Sequence, residues 1–254
     1  MKKKFGMIAL ALIIAGAVSA QDFKLSKSTG TLEISEVNHV SIEGHAGNEI
    51  IFSSRDHDRE DNDRAKGLRA ISSMGLEDNT GLGLSVIDKG ATIEVRQLKK
   101  MDGPDIKILV PKGVKVSFSH TSPHGDGVEV KNFEGEIEIS TVHNEVTLNN
   151  VTGPMNVKTV HGDIDVTFGA SIKGPVLIAS VHAHVDVAMP VSTKADFKLG
   201  TTWGEIFVDP DFKIEIDKSG SLVKYSNKLT GKMNGGGTEI ELTSTHDNVY
   251  LRKK

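Results

Sequence analysis

A short motif keeps returning along this chain, and it limits what the chain can fold into more than any other feature. A hydroxyl residue, a second residue and an imidazole stand at Thr141-Val142-His143, Thr159-Val160-His161, Ser180-Val181-His182 and Ser244-Thr245-His246. Thr201-Thr202-Trp203 and, more loosely, Ser122-Pro123-His124 fit the same frame. The third positions are 19, 18, 21, 21 and 43 residues apart, and the last interval suggests one degraded copy near Tyr225. Self-similarity at such a period marks a repeat architecture, because one short unit cannot bury an apolar face alone and must stack on its neighbours.

Each copy carries the same apolar frame. Eight residues before the third position stands a small residue, Gly135, Gly153, Gly174, Ala195 or Thr238, and the chain then alternates. The alternation aligns Ile137, Met155, Val176, Phe197 and Ile240 in one column and Ile139, Val157, Ile178, Leu199 and Leu242 in the next, followed by the hydroxyls. Period two means a strand with one buried face. After the motif, the apolar positions are Val146 and Leu148, Ile164 and Val166, Val185 and Val187, Ile206 and Val208, and Val249 and Leu251. These are an odd number of residues out of phase with the first set, so the chain must bend to keep its apolar side inward. The residue after the motif is Asn144, Gly162, Ala183, Gly204 or Asp247, mostly types that tolerate a turn.

The expected fold is all-β: a single-stranded β-solenoid, parallel β-helix-like, of stacked coils of about 18–22 residues, each reading strand, corner, strand, loop. Successive coils would lie about 4.8 Å apart in register, with the imidazoles in one column and the hydroxyls in a ladder. Gly30, Leu32, Ile34 and Asn38 repeat the frame near the start. A charged stretch at 54–83 breaks it as an insertion, and 210–237 is loose and Gly-rich.

Residues 1–20 read as a secretory signal peptide: Lys2, Lys3 and Lys4, an apolar run from Phe5 to Ala17, then Val18-Ser19-Ala20 before the cleavage point. That run is short for a membrane span. The expected mature chain is one domain, 21–254, with no stable membrane span. Cleavage would take three lysines away and move the formal net charge from -4 to -7, which argues against a nucleic-acid partner. The chain has no cysteine, so disulfides, thiolate metal sites, a cysteine nucleophile and a lipidated cysteine are excluded.

The stretches "VPKGVKV" (110–116), "NVTGPMNVKTVHGDIDV" (150–166), "SVHAHVDV" (180–187) and "TTWGEIFVD" (201–209) resemble the putative-adhesin family, a bacterial domain of unknown function found in exported proteins. The resemblance runs from Leu32 to Val208 and implies a β-solenoid. The family carries Asn at the corner; Asn38 matches, whereas His143, His161 and His182 depart from it.

Three constellations could carry chemistry. The imidazole column His143, His161 and His182, with His124, His184, His120 and His246 near it, could share a Zn, Cu or Ni ion between adjacent coils; Trp203 in the same column cannot ligate. Outward carboxylates form a second ladder: Glu136, Glu138, Glu145, Asp163, Asp165, Asp186, Glu205, Glu239 and Glu241. They could bind calcium or sugar or supply an acid pair, although alternating acids are the ordinary look of a solvated strand face. Asp56, Asp58, Asp61 and Asp63 resemble a calcium loop but lack its glycine and its bidentate glutamate. No nucleophile-elbow or phosphate-loop sequence occurs.

The expected function is that of an exported, non-enzymatic, envelope-associated module without a cofactor, binding a cell-surface glycan or envelope protein through repeated contacts. It would be periplasmic, outer-membrane-associated or extracellular, its oligomeric state left open. The alternatives are a carbohydrate-active enzyme on a β-helix scaffold and a divalent-metal-binding exported protein using the imidazole column.

Overall fold

A computed structural model describes residues 22–54, 63–65, 67–217 and 227–254. Residues 1–20, together with Asp56, Asp58 and Asp61 of the acid cluster, lie outside the described residues. The described residues hold one 3-10 turn, Asp63–Ala65, and otherwise strands and loops. None of their helices is long and apolar enough to cross a membrane.

Alternation builds strands where the pattern places them, and they assemble into sheets of ten and eleven strands. The first strand of each repeat lies in the eleven-stranded sheet: Gly30–Ser35, Thr92–Gln97, Val114–His120, Ile137–Thr141, Met155–Thr159, Val176–Ser180, Ala195–Thr201 and Thr238–Ser244. The second lies in the ten-stranded sheet: His39–His45, Asp105–Pro111, Gly127–Lys131, Glu145–Val151, Ile164–Phe168, Val185–Met189, Ile206–Val208 and Val249–Lys253. Equivalent strands pair parallel and in register, so that Ile139, Val157, Ile178, Leu242 and Leu199 form one file. In the other sheet the file is Val146, Ile164, Val185, Val249 and Ile206. The inner faces of both sheets feed one apolar cluster, rich in Val, Ile and Leu, with Phe52, Phe118, Phe133, Phe168 and Phe197 as its largest fillers.

The corner between the two strands is closed by the hydroxyl of the motif. Thr141 Oγ donates to the Asn144 carbonyl at 3.1 Å and Thr159 Oγ to that of Gly162 at 2.6 Å. In three other copies the hydroxyl instead accepts from the backbone N–H three residues on, Ala183, Gly204 and Asp247. Ser244 and Thr201 also donate across to the neighbouring copy, to the carbonyls of Ala183 and Asp247. This clip satisfies backbone groups that the bend takes out of the ladder. Gly162 has a different reason from the expected turn tolerance: its φ is ordinary, but a Cβ there would stand 1.8 Å from the Asn144 carbonyl oxygen. Close backbone approach between copies, rather than a left-handed turn, demands the glycine.

Two expectations are corrected. Neighbours in space are not always neighbours in sequence: Thr238–Ser244 inserts between Val176–Ser180 and Ala195–Thr201, and Gly30–Ser35 between Thr92–Gln97 and Val114–His120. The degraded copy expected near Tyr225 in the 43-residue interval falls outside the described residues, and the described part of that interval holds no further parallel copy. Asn227–Met233 instead runs antiparallel along the outer edge of Ala195–Thr201, with Ile214–Ile216 beyond it. The turn that returns the chain uses Asn234, Gly235 and Gly236, all at positive φ. The stack is also not purely parallel. Phe23–Leu25, Ile50–Ser54 and Leu84–Asp88 are antiparallel additions at the opposite end, because a tight hairpin can add an edge strand where a parallel one needs a long crossover.

The 54–83 insertion is not wholly peripheral. The Asp78 carboxylate accepts from the backbone N–H groups of Thr80, Gly81 and Gly83, and this knot delivers Leu82 and Leu84 into the core.

Ile178 is fully buried in the middle of its file. Ile178→Ala is expected to cost about 2–5 kcal/mol, whereas Lys158→Ala on the outward face should stay within about 0.5 kcal/mol. Urea unfolding of both variants measures the difference.

Candidate functional site

In-register stacking of the corners brings His143, His161, His182 and His246 into one exposed row. Ring centroids are 5.2, 4.7 and 4.7 Å apart and adjacent planes lie within 11° of parallel. The spacing is set by the backbone, since the N–H groups of His161, His182 and His246 donate to the carbonyls of Val142, Val160 and Val181 at 2.8–2.9 Å. Because the Thr238–Ser244 copy is inserted out of order, four imidazoles run unbroken and Trp203 lies at the end, 6.5 Å from His246 and 2° from parallel.

The expected metal residues His143, His161 and His182 are thus together, but with parallel planes. Nitrogen lone pairs lie in the ring plane, so parallel rings direct them side by side rather than to one point. A shared ion would require rings to swing out of the stack. Among the described residues no group of three or more His, Asp or Glu is placed to hold a metal ion.

His124 and His184 are not in the row. Pairing of Thr141 with His120 sets the earlier copy two residues back from the expected frame, at His120-Thr121-Ser122. His120 therefore occupies the inward hydroxyl position and is fully enclosed. Asn38 Nδ2 donates to the Lys100 carbonyl, which turns Asn38 Oδ1 toward His120 Nε2 at 3.2 Å, so Nε2 carries the proton. Burial pushes the His120 pKa below the usual histidine range, against the raising effect of Glu36 nearby. Burial of Glu36 would raise its own pKa, but hydrogen bonds from Thr121 and Ser122 outweigh it and hold the carboxyl low.

His184 stands one column over, on the outer face of the ten-stranded sheet. Its Nδ1 is 3.0 Å from Asp163 and its Nε2 3.3 Å from Asp165, and its ring meets Tyr250 edge-on. Beside it Arg252 holds Asp186 with bonds of 2.7–2.8 Å and lies 5.0 Å over the Tyr250 ring. Tyr250 stacks on Phe207 at 5.2 Å. Part of the acid ladder is in this way matched by cations, with Glu136 against Lys115 and Glu239 against Lys198 as further pairs.

Sequence reasoning passed over Phe207, Tyr250 and Arg252. The signal was available: Phe207 and Tyr250 are outward residues between inward pairs, in the column where other copies carry Asp165 and Asp186.

The fold and these rows define an all-β protein of two sheets whose equivalent strands pile in register. No family model and no curated protein matches the chain. Solved structures similar to it include a putative cell adhesion protein from Clostridium sporogenes, 12% identical with a TM-score of 0.46, the match covering 92% of this chain and 100% of that one. A putative adhesin from Bacteroides fragilis is 10% identical with a TM-score of 0.30, covering 94% of this chain and 98% of that one.

Two pH effects follow. The His120 pKa is lower folded than unfolded, so the unfolded chain takes up its proton first as pH falls. Stability should be full above about pH 6.5 and decline below it; His120→Gln should flatten that decline in urea midpoints measured from pH 7.5 to 5. In the exposed row, desolvation between flanking rings, then the charges of His246 and His161, lower the pKa of His182. In an NMR titration His246→Ala should move the His182 midpoint upward.

Proposed function

We propose that the two sheets are walls of one elongated β-solenoid, and that the mature chain is an exported, non-enzymatic, adhesin-like module of the cell envelope. It binds a cell-surface glycan or an envelope protein. The observation that carries this reading is the in-register pairing of equivalent strands, which repeats each outward side chain at a fixed interval along two long faces. Repeated weak contacts to a repetitive partner then add up through effective concentration, without a deep pocket. The signal-peptide pattern of residues 1–20 and the resemblance to the putative-adhesin family support export.

Cell fractionation and pull-down on isolated envelopes test this together. The processed chain should be recovered with the envelope fraction, and single changes on the sheet face such as Asp165→Ala or Glu145→Ala should alter envelope binding by less than about threefold. Recovery of the unprocessed chain in the cytosol, or loss of all binding on one such substitution, would count against it.

A further inference from the structure

Two rows of stacked rings run along the outside of the last repeats, and both end on the same segment of chain. The imidazole row ends at Trp203, and the Tyr250 pair ends at Phe207. Among the described residues Ile206–Val208 is the last strand of its sheet and pairs only with Val249–Lys253. Each terminal ring therefore has one face covered by its row. Beyond Phe207 no further strand follows among the described residues, and beside Trp203 the antiparallel Asn227–Met233 reaches only to the level of Thr201, which pairs with Asn227. Trp203 is 74% exposed and Phe207 45%.

The rings are parallel to their own rows within 2° and 11°, so both outer faces look off the same end. Four residues of extended chain put the Cα atoms of Trp203 and Phe207 at most about 14 Å apart. Beside Phe207 lies an open cleft of about 230 Å³, lined by Phe207, Val208, Asp209, Tyr250, Leu251 and Arg252. That is below the range typical of drug-sized ligand pockets and suits a single small ring.

The chemistry around the rings narrows the occupant. A strand from a second copy is disfavoured, because the edge strand has three residues and is bracketed by Glu205 and Asp209, the short charged kind of edge that blocks pairing. A polyanion is disfavoured too. Arg252 is held by Asp186 and Lys253 by Asp211 at 2.5 Å, so the nearby cations are already engaged among carboxylates. What fits is a neutral molecule with apolar ring faces and many hydroxyl donors.

We propose that the terminal segment 203–209 is a docking site for a neutral oligosaccharide. Sugar rings stack their C–H faces on the outer faces of Trp203 and Phe207, a use of the electron-rich ring face, and their hydroxyls donate to Glu205 and Asp209. The inference rests on the binding-module reading and gives it a position and a ligand class.

Trp203 is the chain's one tryptophan, so its fluorescence reports on this site alone. Titration of the mature protein with chitohexaose, cellohexaose and mannohexaose should give a saturable change in emission with at least one of them. Phe207→Ala and Glu205→Gln should each weaken that binding tenfold or more with an unchanged melting temperature, while His143→Ala at the far end of the row should leave it unchanged. The proposal falls if none of the three sugars changes the emission, if polygalacturonate alone does, or if Phe207→Ala leaves affinity intact. It also falls if Trp203→Ala converts a dimer to a monomer, which would make this end a contact between copies. Sugar binding with no envelope retention would sink the cellular reading and keep the site; envelope retention with no sugar binding would do the reverse.

Discussion

Everything in this molecule follows from one constraint: backbone hydrogen bonding between equivalent strands holds successive copies about 4.8 Å apart and in register, so like must sit on like. For apolar residues this is harmless, since a file such as Ile139, Val157, Ile178 packs as any core does. Polar files need a chemical solution each. The hydroxyl file clips its own corner and reaches the next copy. Asn150 donates to Asn132 at 2.8 Å, and Asn132 to Glu43, so a second corner is bridged by amides that are donor and acceptor at once. Carboxylates have no such solution. Asp165 pairs directly beside Asp186, an arrangement that repels, and each is answered by a cation or an imidazole from an adjoining file, Arg252 for one and His184 for the other. The dense polar network near Tyr250 is in this light compensation for stacking two acids.

The same constraint explains why the ends are built differently from the middle. A stack of parallel strands has no internal reason to stop, and an open parallel edge invites another strand. Here both ends are overlaid by antiparallel strands: Phe23–Leu25 and Ile50–Ser54 on one sheet and Leu84–Asp88 on the other at one end, Asn227–Met233 and Ile214–Ile216 at the other. Among the described residues only Ile206–Val208 is left as a parallel edge, and it is the shortest and most acid-bracketed of the second strands. Insertion of the first and last copies into the interior of the stack belongs to the same plan, because the chain must travel past a copy to lay down its cap and then return.

Much of this was legible in the sequence. Period two, the parity flip and the motif placed the columns, and the files observed are those columns, from Ile137 beside Met155 to Leu148 beside Val166. Neighbour order was not legible, and the reason is physical: when every copy presents the same residue type to its neighbour, Ser180 is as well matched by Ser244 as by Thr201, and periodicity holds no information about which lies beside it. The Gly-rich turn at Asn234–Gly236 was the one local hint. The His120 misalignment has a similar origin, since a buried imidazole in a hydroxyl file and an exposed imidazole two residues later, His124, look alike by residue type. At the candidate site, the imidazole row was legible as a row. Its ring orientation was not, because side-chain planes depend on how corners stack.

Stacking in the imidazole row works against charge on its rings. Four imidazoles can lie face to face at 4.7–5.2 Å with little opposition only while they are uncharged, since a proton on one ring disfavours a proton on the next. His182, flanked on both sides, is held below the usual histidine range by desolvation first and then by that repulsion. The edge is a strip of stacked rings on an otherwise acidic protein. While uncharged, such a strip can approach a neutral polymer without the cost of desolvating charge. The strip is thus a consequence of repetition before it is a property of any one histidine.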